Sequence, residues 1–244
     1  MSQSEELLFE EFTNGRVSVV LHRADAQLRY IVVMAHGFKS SKLGPSRYFV
    51  ELGRSLAASG ISTLRFDQPG SGDSEGSFED SSFLTWIDAI EHFARRYSDN
   101  NIAVALLGQS VGGRAALAAA TRLGDAVKGI ALWSPALMLH ADSAAERTGW
   151  MEEEGQRVSW DFWREVESFD FLALYRNLAV PTYCVFGTAD SFISVSEMRV
   201  MESAAKKDDC IRVIEGLPHS AWPEPHRSEI IRETEEFLVG VLTS

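Results

Sequence analysis

Short apolar runs rich in β-branched residues alternate with longer stretches of helical periodicity along nearly the whole chain. Strands are expected at Arg16–His22, Tyr30–Ala35, Ile61–Phe66, Ile102–Leu107, Val127–Trp133, Thr182–Phe186 and Ile211–Ile214. The second of these, with Ile31, Val32, Val33 and Met34 in succession, is apolar on both faces, as a parallel strand covered by helices on each side must be. Between the strands, helices are expected at Ser46–Ala58, Ser82–Tyr97, Gly112–Leu123, Ser196–Lys206 and Glu224–Leu242. In the second helix Phe83, Trp86, Ile87, Ile90, Phe93, Ala94 and Tyr97 recur at helical spacing, with Asp80 and Ser81 ahead of it as candidate caps. Such alternation implies an α/β fold with a doubly wound, mostly parallel sheet.

One stretch interrupts the rhythm. Residues 135–179 separate two strands by far more chain than a simple crossover needs, and they carry Trp150, Trp160, Phe162, Trp163, Phe169, Phe171 and Tyr175. A segment this aromatic is not a disordered linker. It is expected to be a small, partly helical cap over the strand ends, inserted in a single domain spanning residues 1–244.

Composition narrows the classes of function. The 244 residues include 35 acidic and 23 basic side chains, a net charge of −12 that disfavours nucleic acid and anionic membrane surfaces as partners. No apolar run reaches the roughly 20 residues of a membrane span, and the acidic start, Met1–Glu11, lacks the basic region of a signal peptide. With only two cysteines, Cys184 and Cys210, both expected to be buried small hydrophobes, a cytoplasmic location is expected. The histidines at 22, 36, 92, 140, 219 and 226 form no H-x-x-x-H or H-E-x-x-H pair, so neither a metal nor any other cofactor is implied. Oligomeric state is left open.

The chemistry concentrates at strand ends. Gly108-Gln109-Ser110-Val111-Gly112 follows the strand Ile102–Leu107 and opens an alanine-rich helix. This places Ser110 on a sharp strand-to-helix turn, with Gly108 and Gly112 permitting the close packing there. The Val111 N–H at the helix start is suited to donate to an oxyanion. A serine hydroxyl needs a base, and in this arrangement an acid and then a histidine follow the nucleophile along the chain. Asp190 follows the strand Thr182–Phe186, and His219 follows Ile211–Ile214, so all three groups converge on one edge of the sheet. Asp161, Asp170 and Glu215 are the alternative acids, but their positions fit that order less well. A second oxyanion donor is expected from the loop His36-Gly37-Phe38, where Gly37 lets the chain bend and presents the Phe38 N–H. His36 and Gln109 are expected to shape the loops beside the nucleophile. Ser40 and Ser41 have no such elbow. The stretch Asp67–Gly76 has glycines but no P-loop spacing, and its acids would repel phosphate, so it is expected to be a structural loop.

Taken together, His36-Gly37-Phe38, Asp67-x-x-Gly70-x-Gly72-x-Ser74, Gly108-x-Ser110-x-Gly112, Asp190 and His219 resemble the α/β-hydrolase superfamily. Within it the chain is most similar to the compact feruloyl or cinnamoyl esterase-like group, which grades into monoacylglycerol-lipase-like and serine-aminopeptidase-like hydrolases. Two departures from that pattern are Gln109, where many relatives carry His, and Lys39-Ser40-Ser41-Lys42, which lacks a glycine often found there. Ser110 at the elbow sets aside the dehalogenases and epoxide hydrolases of the fold, which place Asp at that position. The expected activity is hydrolysis of small carboxylic esters with a hydrophobic or aryl part through an acyl-enzyme. Thioester, amide or peptide and carbon–carbon cleavage, acyl transfer, and a non-catalytic ligand-binding role remain as alternatives. Glu152–Glu154 are candidate carboxylates for gripping a free amino terminus.

Overall fold

The computed structural model describes residues 4–13, 15–25, 27–137, 144, 147–153 and 155–244. Two strands open the chain, β1 (Ser4–Phe12) and β2 (Gly15–Arg23), followed by β3 (Tyr30–Ala35), α1 (Tyr48–Ala58) and β4 (Ser62–Phe66). Next come α2 (Phe83–Ser98), β5 (Ala103–Gln109), α3 (Val111–Leu123) and β6 (Val127–Trp133). A hairpin of β7 (Trp150–Glu153) and β8 (Gln156–Ser159) precedes α4 (Trp160–Glu167) and α5 (Phe171–Asn177). The chain ends with β9 (Thr182–Gly187), α6 (Val195–Ser203), β10 (Cys210–Ile214) and α7 (His226–Thr243).

The main sheet has eight strands in the order β1-β2-β4-β3-β5-β6-β9-β10. Its first three strands pair antiparallel and the remainder parallel. Alternation along β3 shows why both faces are covered. Ile31, Val33 and Ala35 enter one core with α2, α3 and α6, while Val32 and Met34 enter the other with α1 and α7. On α2, Phe83, Trp86, Ile87, Ile90 and Phe93 are all fully buried, each contributing about 2 kcal/mol by removal from water. The cap of α2 is Ser82, whose hydroxyl accepts from the Thr85 N–H at 3.3 Å, rather than Asp80 or Ser81.

Three features depart from the sequence reading. The first strand, β1, runs along the sheet edge with most of its side chains exposed. The segment between β6 and β9 contains the β7–β8 hairpin as well as helices. Cys210 is exposed, because β10 is the outer strand of the sheet, whereas Cys184 is buried as expected. Among the described residues no helix is long and apolar enough to cross a membrane.

From β3 the chain passes to β4 on one side, and from the neighbouring β5 it passes to β6 on the other. The loops after β3 and β5 therefore part at the carboxyl edge, where open α/β sheets form a crevice. Ser110 and His36 both sit there.

Candidate active site

Ser110 joins β5 to α3 with φ 54° and ψ −125°, a conformation disfavoured for a residue with a side chain. The turn is held from three sides. The Ser110 N–H donates to Trp133 O at 3.0 Å, and its carbonyl accepts from Gly113 N at 2.9 Å and Ala136 N at 3.0 Å. Glycine at 112 is a spatial necessity, since a Cβ there would lie 2.1 Å from the His36 carbonyl oxygen. Gly37 is also pressed against the turn at Ser110, its would-be Cβ meeting Gln109 Oε1 at 2.5 Å and Ser110 Cβ at 3.0 Å. Gly108 packs against the backbone of Gly112 and Gly113. The loop after β3 and the turn at Ser110 are thus in direct contact through glycines.

His219 lies between Ser110 and Asp190. Its Nε2 is 3.0 Å from Ser110 Oγ, and its Nδ1 is 2.6 Å from Asp190 Oδ2. Since the carboxylate can only accept, Nδ1 carries the proton and Nε2 is free to accept from the serine hydroxyl. Asp190 is itself fixed: its buried side chain accepts the N–H groups of Phe192 at 2.7 Å and Ile193 at 3.1 Å through Oδ1. The exposed Phe192 ring then lies edge-on to the imidazole, with centroids 4.9 Å apart. None of the alternative acids reaches this histidine. Asp161 pairs with Arg164, Asp170 caps α5, and Glu215 is exposed beyond β10.

Neither the Phe38 N–H nor the Val111 N–H is taken by a protein acceptor among the described residues, which leaves both available to a ligand. The Phe38 peptide is oriented through His36. This imidazole is fully buried, its Nδ1 lies 2.8 Å from Gly37 O, and its Nε2 accepts from Gln68 N at 2.9 Å. Burial pushes its pKa down to about 4, so it stays neutral and serves as a donor to the loop. Ser40 follows in the same loop, its N–H donating to Gly37 O at 3.3 Å.

Three polar anchors around the cleft were not foreseen from sequence. Asp67, fully buried, accepts from Lys42 Nζ at 2.5 Å, Lys42 N at 2.6 Å and Asp73 N at 2.9 Å, tying the end of the loop after β3 to the loop after β4. Arg114 on α3 donates to the carbonyls of Ala136 (3.2 Å), Leu137 (2.7 Å) and Phe169, and burial lowers its pKa to about 10. Glu165 of α4 accepts from Ser82 Oγ at 2.8 Å and Leu84 N at 3.1 Å, fastening α4 to the start of α2. Arg114, set directly between the glycines and alanines that open α3, is the one visible sequence signal for the second anchor; the other two link residues far apart in the chain.

In the loop after β3, Phe38 packs against Trp163, Phe78 and Phe162 at centroid distances of 4.9, 5.1 and 5.7 Å. Of the acids considered for amino-terminus binding, Glu152 is exposed on β7 and Glu154 lies outside the described residues, as does His140.

Comparison with known proteins agrees with this architecture. A family model described as Hydrolase_4, serine aminopeptidase, S33, matches residues 26–164, more than half of the chain. Solved structures of similar fold include Est1E from Butyrivibrio proteoclasticus with ferulic acid bound, at 18% identity and a TM-score of 0.83, covering 97% of this chain and 100% of that one. Also similar is a soluble variant of monoglyceride lipase from Saccharomyces cerevisiae in complex with a substrate analogue, at 15% identity and a TM-score of 0.81 over 100% of this chain and 97% of that one. A monoacylglycerol lipase from Paleococcus ferrophilus aligns at 19% identity with a TM-score of 0.73, covering 92% of this chain and 98% of the other. At these identities the likeness is one of fold. The curated proteins contain no match to the sequence.

Proposed function

This chain belongs to the serine aminopeptidase, S33 family of α/β hydrolases, and from that premise we propose that it is a serine hydrolase cleaving small carboxylic esters with a hydrophobic or aryl part. The observation that carries the reading is the placement of His219, with one ring nitrogen 3.0 Å from Ser110 Oγ and the other 2.6 Å from Asp190. Nothing in a structural role requires a buried carboxylate, an imidazole and a strained serine in that line.

The steps follow from the partners. Ser110 Oγ attacks the ester carbonyl while His219 Nε2 takes its proton, and Asp190 stabilises the resulting imidazolium. The carbonyl oxygen, now negative, accepts from the Phe38 and Val111 N–H groups, the second at the positive end of α3. Expulsion of the alcohol draws the proton back from His219 Nε2 and leaves an acyl group on Ser110. Water, deprotonated by the same nitrogen, releases the acid. The aromatic surface of Phe38, Phe78 and Trp163 supports a hydrophobic or aryl acyl group, with residues 135–179 acting as a cap. The structural neighbours named for ferulic acid binding and for lipase activity point the same way.

The test is turnover of p-nitrophenyl esters of increasing acyl size, run beside Ser110→Ala, His219→Ala and Asp190→Asn. Each substitution is expected to lower kcat/KM by ~10³-fold or more. Absence of ester hydrolysis with Ser110 still labelled by a phosphonate would keep the triad and move the substrate to another acyl bond. Absence of both would overturn the reading.

A further inference from the structure

Between α5 and α6 lies a cavity of about 220 Å³ whose apolar walls are Leu137, Phe171, Leu172, Val200 and Met201. None of these side chains belongs to the aromatic cluster around Phe38. An apolar cavity of roughly 150 Å³ holds one benzene molecule, so this one has room for an aryl ring with a short chain attached. Two carboxylates, Asp170 and Glu197, also line it. Both are engaged in helix capping: Asp170 accepts the Ala173 N–H at 3.0 Å, and Glu197 accepts the Ser194 N–H at 2.8 Å and its hydroxyl at 2.7 Å. Their charge disfavours an anion here, so the occupant that fits is uncharged and apolar.

The cavity is tied to the proposed nucleophile. Ala136, next to Leu137, donates its N–H to the Ser110 carbonyl at 3.0 Å, which puts the Leu137 Cα within about 8 Å of that oxygen. Arg114 makes a second tie. Its N–H donates to the same carbonyl at 3.2 Å, and its buried guanidinium donates to Leu137 O at 2.7 Å and to Phe169 O, just ahead of the wall formed by α5. On the other flank α6 follows the Asp190 loop, where the Ile193 N–H donates to Asp190 at 3.1 Å. Strand order fixes the side. Along the carboxyl edge, β3 with Phe38 lies on one side of β5 and Ser110. The strands β6, β9 and β10, which lead to Leu137, to Asp190 with α6, and to His219, lie on the other. An ester held at Ser110 has two halves, and the half that departs must sit where His219 can protonate its oxygen.

We propose that this cavity receives the alcohol half of the ester, so that the substrate is apolar on both sides of the bond that is cut. The assignment rests on the esterase reading above and extends it. With the acyl half against Phe38 and Trp163, the C–O bond to the alcohol breaks, His219 Nε2 gives its proton to the departing oxygen, and the acyl group stays on Ser110. The neutral alcohol is left among Leu137, Phe171 and Met201. The carboxylate released on deacylation is kept out by Asp170 and Glu197, so the two products are sorted by charge.

Methyl acetate and 2-phenylethyl acetate test the site, because they share an acyl group and their leaving oxygens differ little in basicity. For the native protein kcat/KM is expected to be ~10-fold or more higher on 2-phenylethyl acetate, and free 2-phenylethanol is expected to inhibit competitively. Met201→Trp, which fills the cavity, is expected to lower the ratio of the two kcat/KM values ~10-fold. Leu172→Trp, half-buried on α5, serves as the test if Met201→Trp does not fold. Equal rates on the two acetates, turnover of p-nitrophenyl esters alone, or a preference that the filled variant keeps would overturn the alcohol site and leave the esterase reading standing. Absence of turnover on every ester would overturn both.

Discussion

The Nδ1 of His36 lies 2.8 Å from the carbonyl oxygen of Gly37, and because Nε2 is occupied as acceptor of the Gln68 N–H, Nδ1 must be the protonated nitrogen. A trans peptide points its N–H opposite to its C=O, so anchoring the Gly37 carbonyl also sets the direction of the Phe38 N–H. A buried histidine with no part in proton transfer thereby orients a proposed oxyanion donor.

That arrangement has a pH signature. The folded protein resists protonation of His36 down to about pH 4, whereas the unfolded chain accepts the proton near 6.5. This stability is present above pH 6.5 and declines as pH falls toward 4, by about 3 kcal/mol in total. Thermal melts between pH 7 and 4 should show the loss, and His36→Gln, which has no charge to acquire, should flatten the slope. An unchanged slope would remove His36 as the source.

At the elbow, two substitutions should act in opposite directions. Ser110 has φ 54°, a region where glycine is at ease, so Ser110→Gly is expected to be more stable than Ser110→Ala by about 1 kcal/mol. Gly112→Ala instead forces a Cβ within 2.1 Å of a backbone oxygen and should cost about 2–3 kcal/mol as well as most of the activity. Denaturant midpoints of the three variants check the order.

Asp67 is expected to be as important as its burial suggests. Asp67→Asn leaves the Lys42 ammonium, 9% exposed, with only the Asp73 carboxylate, 2.7 Å away, as counter-charge, a loss of about 1–3 kcal/mol. Because Lys42 ends the loop proposed to supply an oxyanion donor, kcat should fall with stability, and Lys42→Met with Asp67→Leu together should recover stability better than either single change. Melting temperatures of the single and double variants decide this.

Much of this organisation can be seen in the linear chain, and the exceptions share a cause. Strands such as Tyr30–Ala35 and Val127–Trp133 are legible because burial on both faces demands unbroken apolar runs. Ser110, Asp190 and His219 are legible because each directly follows or lies just beyond such a run, in the order the fold requires. The edge strand β1 is exposed along most of its length, so no burial periodicity marks it. The β7–β8 hairpin is too short to impose a pattern of its own. Lys42 with Asp67, and Glu165 with Ser82, are pairs whose partners meet only once the sheet has formed.

The last expectation concerns substrate choice. The Trp163 ring, half-buried on α4, lies 4.9 Å from the Phe38 ring, whose own N–H is the proposed oxyanion donor. An aromatic contact of this kind is worth about 1 kcal/mol beyond its buried area, and a flat aryl acyl group entering here would gain a comparable amount from Trp163. Trp163→Leu keeps an apolar wall while removing that interaction, so kcat/KM for an aryl ester should fall about 5-fold and that for a short alkyl ester should change little. Measured side by side, a selective loss assigns Trp163 to the acyl pocket. An equal loss on both esters would mean that it only braces Phe38, and that the aryl preference arises elsewhere.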